Sequence, residues 1–195
     1  VDGVTVTRVA AAEQALRGPR DTPVQLRLRR GEDVLDVQAV RDTVLERSVR
    51  ADRLEGGIAH IQIDAFRRRS GTELREHLER LEADAPLRGV VLDLRGNPGG
   101  LLEEAVFVVD TFVSDGTILE VRGRAGRVLE SHTAEASDQD RSVPLVVLID
   151  DGSASAAEIV AGALQDLDRA PLFGSQSYGK GSVQKLFLFE DGGGL

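Results

Sequence analysis

The 195 residues carry a formal net charge of −9, from 33 acidic against 24 basic side chains, with 41% hydrophobic residues and no cysteine. That balance leaves no basic surplus to neutralise a phosphate backbone, which argues against nucleic acid as a partner. The missing thiols exclude disulfides, metal thiolates and cysteine nucleophiles together.

In chain order, Val1-Asp-Gly3 reads as a turn, and Val9 to Leu16 as an alanine-rich helix stopped by Gly18-Pro19. Val24 to Arg30 and Val34 to Arg41 alternate apolar and polar residues on either side of Gly31-Glu-Asp33, a hairpin pattern. A polar connection from Glu46 to Gly57 leads to a strand, Ile58 to Phe66, that opens a second domain. Ser70-Gly-Thr-Glu73 matches a capping box at the start of an amphipathic helix with Leu74, Leu78 and Leu81 on one stripe. There follow a strand at Val90 to Leu94, a helix at Leu101 to Val113, a strand at Ile118 to Val121 and a polar loop to Arg141. Pro144 to Ile149 reads as a continuous apolar strand, Ala156 to Leu167 as a helix and Ser182 to Phe189 as a final strand. Strands alternating with helices predict an α/β domain with a largely parallel sheet, preceded by part of another domain. The chain has no methionine, so it is expected to be part of a longer product, with any signal peptide or anchor in the missing part. Within it no apolar run approaches the roughly 18 residues of a membrane span.

Two residues carry the chemistry. Apart from Lys185, Lys180 is the only lysine in a chain that otherwise takes its positive charge from arginine. Only lysine can give up its proton at a workable pH and become a base. Ser155 lies in Gly152-Ser-Ala-Ser155-Ala-Ala-Glu158, and a serine hydroxyl becomes a nucleophile when a neighbouring base takes its proton. Ser155 with Glu158 also fits a capping box, a purely structural role compatible with the catalytic one. A serine at a strand-to-helix turn is presented at the sheet edge, and the Ala156 amide behind it is placed for an oxyanion. Ser153 is the competing nucleophile. Gly96-Asn-Pro-Gly-Gly100 is either a tight turn or one whose side-chain-free Gly99 and Gly100 admit a substrate carbonyl to the backbone amides. Asp93 and Arg95 are expected to orient that turn. Gly174 to Lys180 matches the first part of a phosphate loop, but Gly181 stands where a hydroxyl is needed and a strand pattern follows. Gln184 would share a strand face with Leu186 and Leu188 and be partly buried, needing a partner such as Lys180. His60, His77 and His132 show no metal-site or triad spacing, so no metal, nucleotide or other cofactor is expected.

The segment from Pro144 to Gln184 resembles the active-site half of the carboxyl-terminal processing (tail-specific) proteases. The likeness rests on Gly152-Ser-Ala-Ser-Ala-Ala-Glu158-Ile, Ala161-Gly-Ala-Leu-Gln-Asp166, Arg169-Ala, Gly179-Lys-Gly-Ser-Val-Gln184 and the strand and turn Val90 to Leu101. Leu16-Arg-Gly-Pro19 and Thr22-Pro-Val-Gln-Leu-Arg-Leu28 resemble the second half of a PDZ domain, although Asp21-Thr22 departs from the family's usual glycine-threonine pair.

The resemblance implies a protease core with a mixed, largely parallel sheet and flanking helices over residues 43–195, preceded by a partial PDZ domain over 1–42. It implies Ser155 as nucleophile, Lys180 as general base and Gln184 as its assistant. Gly100 and Ala156 would donate to the oxyanion, with Gly99 and Glu158 in support. Its substrates would be proteins or peptides with accessible C-terminal tails, met in the periplasm or elsewhere outside the cytoplasm, with a homo-oligomer or an adaptor as further partners. Lys180 is expected in a dry pocket, and Gly100→Ala is expected to leave the fold largely intact while slowing catalysis. A catalytically silent PDZ-containing peptide-binding scaffold is the alternative. An acyl-transferring or acyl-CoA-binding enzyme is a further one, disfavoured because no basic cluster awaits the phosphates of CoA.

Overall fold

The period-two pattern of residues 24–41 folds as expected into a hairpin. In the computed structural model, which describes residues 1–43, 46–137 and 142–184, the chain divides into two units, Val1–Glu46 and Arg47–Leu195. The first holds helix α1 (Val9–Leu16) and the antiparallel strands β1 (Pro23–Arg30) and β2 (Asp33–Val40), with Leu26 opposite Val37 and Leu28 opposite Leu35. Arg41 closes the unit by donating to the carbonyls of Leu16 (2.8 Å), Ala15 (3.3 Å) and Pro23 (2.9 Å). A single arginine thereby satisfies carbonyls left over at the end of α1.

The second unit contains, in order, β3 (Val49–Leu54), β4 (Ile58–Ile63), α2 (Ser70–Asp84), β5 (Gly89–Asp93), α3 (Leu102–Asp110), β6 (Thr117–Arg122), β7 (Val128–Thr133), β8 (Leu145–Ile149), α4 (Ala156–Asp166) and β9 (Leu172–Gly174). Five strands form one sheet in the order β3-β4-β5-β8-β9. Only β3 runs antiparallel to its neighbour; β4, β5, β8 and β9 are mutually parallel. The α/β reading with a mixed, largely parallel sheet therefore holds. The core joins Ala59, Ile61 and Ile63 of β4 to Leu92 of β5, Val147 of β8, Leu74 and Leu78 of α2, Val108 of α3 and Val160 and Leu164 of α4, all fully buried. Each buried aliphatic side chain contributes about 1.5–3 kcal/mol, so the leucine stripe of α2 decides which face of that otherwise charged helix turns inward.

Several expectations change at the element ends. Helix α3 stops at Asp110 rather than Val113, and β4 stops at Ile63 because Phe66 leaves the strand to bridge Gly100. Ser70 and Glu73 do not form a capping box. The cap position is Arg69, in the left-handed region at φ 80°, and the Glu73 carboxylate accepts from the amides of Ser48 (2.9 Å) and Val49 (3.1 Å), tying α2 to β3. Strands β3 and β7 form where the sequence reads as polar connection or loop, and β9 where it reads as no element. Residues 182–184 are not in a strand, and the rest of the segment expected to be one lies outside the described residues.

Parallel strands all point their carboxyl ends toward the same sheet edge. The loops that follow β4, β5 and β8 therefore emerge side by side, where crevices of α/β sheets form.

Candidate active site

Ser155 ends the loop from β8 and caps α4 with φ 55° and ψ −115°. A non-glycine residue held there costs about 1–3 kcal/mol and persists only where its surroundings enforce it. The geometry is that of a sharp strand-to-helix turn, which exposes a serine hydroxyl at the sheet edge. Ala156, the first residue of α4, has an amide with no protein acceptor among the described residues, as the start of a helix dictates. Ser153 is fully buried and its hydroxyl is committed: it donates to the Leu94 carbonyl at 2.8 Å and accepts from the Asp150 amide at 3.0 Å. Of the two candidate serines, only Ser155 faces the cleft described below.

The glycine turn after β5 packs directly on this elbow. A Cβ built on Gly99, which sits at φ 101°, would lie 2.8 Å from the Ser155 Cβ and 2.9 Å from the Ala156 nitrogen, so only glycine permits the approach. The Gly99 carbonyl accepts from the Phe66 amide at 2.9 Å, and the Phe66 carbonyl accepts from the Leu101 amide at 2.8 Å. The Gly100 amide between them has no protein acceptor among the described residues. Gly100 has φ 145°, and an added Cβ would sit 2.1 Å from the Phe66 carbonyl oxygen. The expectation that Gly100→Ala leaves the fold largely intact is therefore corrected: the turn must open to accept a methyl group.

Asp93 anchors the base of the turn, as expected of it. Its buried carboxylate takes the Arg95 guanidinium at 2.6 and 2.9 Å, the Arg95 amide at 3.1 Å and His60 Nε2 at 3.1 Å. The Arg95 side chain, outweighing burial, holds its pKa down to about 2. Asp150 makes a second anchor, accepting from the amides of Gly96 (2.7 Å) and Gly152 (3.0 Å), which with Ser153 keep its carboxyl below the usual range.

Glu158, one turn into α4, connects the serine to the lysine loop. One carboxylate oxygen accepts from the amides of Ser155 (2.8 Å) and Lys180 (2.9 Å), the other from the Ser177 hydroxyl (2.8 Å) and the Gly179 amide (2.6 Å). Burial pushes this carboxyl up, but the four hydrogen bonds outweigh it and hold it below its ordinary value. Lys180 Nζ lies 3.4 Å from Gln184 Oε1. Both residues are exposed, so neither the dry pocket expected around Lys180 nor the partial burial expected of Gln184 is found.

One cleft of about 940 Å³ collects Ser155, Ala156, Gly100, Lys180 and Gln184. Gly99 lies buried beneath it and Glu158 behind it. Its apolar wall comes from Ile159, one turn after the serine, and from Leu119, Val121 and Leu129 of the β6–β7 ribbon. His60, His77 and His132 stay apart, on Asp93, near Arg80 and on Glu130 respectively. The sequence reading missed Asn97, Asp150 and Ser177. Asn97 lies inside the glycine turn already singled out, and an asparagine between glycine and proline reads as turn chemistry until its partners are known.

A carboxy-terminal-processing protease of Bartonella bacilliformis is 41% identical over 189 residues, covering 94% of this chain and 43% of that protein. The carboxy-terminal processing protease CtpA of Bacillus subtilis is 37% identical over 196 residues, covering 98% of this chain and 40% of that protein. The chain thus spans about two fifths of the length of these curated relatives. Among solved structures, a photosystem II D1 C-terminal processing protease aligns with a TM-score of 0.67 and 26% sequence identity, over 91% of this chain and 50% of that one. The sequence pattern of peptidase family S41 matches residues 57–195, and the chain belongs to that family.

Proposed function

We propose that the chain carries the catalytic core of a serine endopeptidase that cleaves proteins near their C-termini through a Ser155–Lys180 dyad. The observation that carries this reading is the strained Ser155 elbow, sharing one cleft with Lys180 and two amides that have no protein acceptor among the described residues. Lys180 Nζ removes the proton from Ser155 Oγ, which adds to the scissile carbonyl carbon. The carbonyl oxygen becomes an oxyanion that accepts from the amides of Gly100 and Ala156. As the tetrahedral adduct collapses, the C–N bond breaks and the lysine returns its proton to the leaving amine. Water, deprotonated by the same lysine, then hydrolyses the acyl-enzyme and frees the serine.

The lysine acts in the first step as the base that accepts the serine proton, which an arginine at that position could not do. Gln184 Oε1, within reach of Nζ, orients the amine. The apolar wall suits substrates with apolar side chains near the cut. By its resemblance the hairpin unit is part of a PDZ domain that captures substrate tails, and the protein acts outside the cytoplasm.

The test is mass spectrometry of an unstructured protein with an apolar tail, incubated with the full-length enzyme and with Ser155→Ala. Discrete carboxyl-terminal fragments from the first and none from the second are expected. Binding without cleavage by either would favour the silent scaffold.

A further inference from the structure

We infer that Asn97 is a positioning residue that holds the oxyanion turn in register with the nucleophile loop, an inference that rests on the serine-protease reading above. Asn97 is fully buried and ties three strand ends together. Its Nδ2 donates to the Ile63 carbonyl at the end of β4 (2.9 Å), and its Oδ1 accepts from the Gly99 amide (2.8 Å). Its backbone amide donates to the Leu94 carbonyl after β5 (3.2 Å), and its backbone carbonyl accepts from the Ala154 amide, one residue before the nucleophile (2.9 Å). A carbonyl can only accept and an amide N–H can only donate, so the orientation of the side-chain amide is unambiguous. The site needs a donor and an acceptor on one short side chain. A carboxylate supplies no donor, and an apolar side chain leaves both buried backbone groups unpaired.

The consequence reaches the cleft through one peptide plane. In a trans peptide the C=O and the following N–H point in opposite directions. Phe66 holds the Gly99 carbonyl, so the Gly100 N–H must point away from Phe66, and Asn97 fixes the other side of Gly99 through its amide. Without the Oδ1 acceptor, Gly99 is held at one end only. At φ 101° glycine has ample freedom to rotate, and the Gly100 donor then leaves its alignment with Ala156.

The experiment compares Asn97→Ala, Asn97→Asp and Thr111→Val in the full-length enzyme. Thr111 is equally buried and its hydroxyl donates to Phe107, so Thr111→Val is a control for destabilisation away from the cleft. Melting temperature, kcat and KM are measured on a fluorogenic peptide with an alanine-rich apolar tail. Active sites are counted by exhaustive labelling with a fluorophosphonate. Asn97→Ala should lower kcat per labelled site by roughly 10- to 100-fold, with KM within about threefold. Asn97→Asp keeps the acceptor for Gly99 but loses the donor to Ile63, so it should melt no higher than Asn97→Ala yet retain more kcat. That inverted order is not produced by a role in stability alone. An Asn97→Ala enzyme with kcat per site within about threefold of the parent, melting like Thr111→Val, overturns the inference. Should Asn97→Asp fail to fold, the comparison of Asn97→Ala with Thr111→Val still decides. Activity surviving in Ser155→Ala would instead overturn the underlying serine reading.

Discussion

Glu158 offers the sharpest perturbation, because one carboxylate holds both the serine amide and the lysine loop. Glu158→Ala removes four accepted hydrogen bonds, from Ser155, Ser177, Gly179 and Lys180. The donors on Gly179 and Lys180 are exposed and rebond to water, so their loss costs little; those on Ser155 and Ser177 are half-buried. At about 1 kcal/mol each, the latter two set a stability loss of about 2 kcal/mol. For a unit of this size that is a fall of roughly 4–8 °C in melting temperature. The catalytic loss should be larger in proportion: a displacement of about 1 Å between nucleophile and base costs roughly a hundredfold. Glu158→Gln keeps one acceptor oxygen and should fall between.

The pH dependence has a definite sign. A carboxyl whose folded-state pKa is lowered contributes stability that is present above its unfolded pKa and lost as pH falls through the folded value. The melting difference between parent and Glu158→Ala should therefore be full at pH 7 and shrink below about pH 4.5. The assays are kcat/KM on a tail peptide and calorimetry at pH 7 and pH 3.5. A Glu158→Ala enzyme with kcat/KM within about threefold of the parent would refute the idea that this carboxylate sets the geometry of serine and lysine.

Three more outcomes are expected. Ser153→Ala should lose about 1–3 kcal/mol of stability, since it takes the acceptor from the Asp150 amide and one of two donors from the Leu94 carbonyl, but keep its activity per folded molecule, whereas Ser155→Ala keeps its stability and loses activity; phosphonate labelling of Ser153, seen by peptide mapping, would reverse the assignment. Gly100→Ala should lose both stability and at least roughly a hundredfold in turnover, because its methyl group meets the Phe66 carbonyl; normal melting with normal turnover would show that the turn is not the oxyanion donor. Lys180→Arg should be as inactive as Lys180→Ala in kcat/KM on a tail peptide, because arginine cannot give up its proton; substantial activity in the arginine variant would mean that position 180 supplies charge alone.

Local pattern was enough wherever the signal lies within a few residues. The alternation of Val24 to Val40 fixes a hairpin, the leucine spacing of α2 fixes its buried face, and the apolar run before Ser155 leading into an alanine-rich stretch marks a strand-to-helix elbow. Strands β3, β7 and β9 were illegible for the complementary reason. Val49-Arg-Ala-Asp-Arg-Leu54 and Val128-Leu-Glu-Ser-His-Thr133 are half polar, and Leu172–Gly174 is three residues long. Their strand character comes from the neighbour each pairs with, and sheet propensity is set largely by that context. The site divides in the same way. Residue types and spacing single out Ser155, Lys180 and the glycine turn, because chemistry demands a nucleophile, a base and side-chain-free amides. That Ser153 is spent on Leu94, that Gly100 has no room for a methyl group and that Glu158 and Asn97 join the separate loops depends on contacts between residues 19 to 59 positions apart in the chain. Only the parallel sheet, by ending β4, β5 and β8 at one edge, brings those residues within hydrogen-bonding distance.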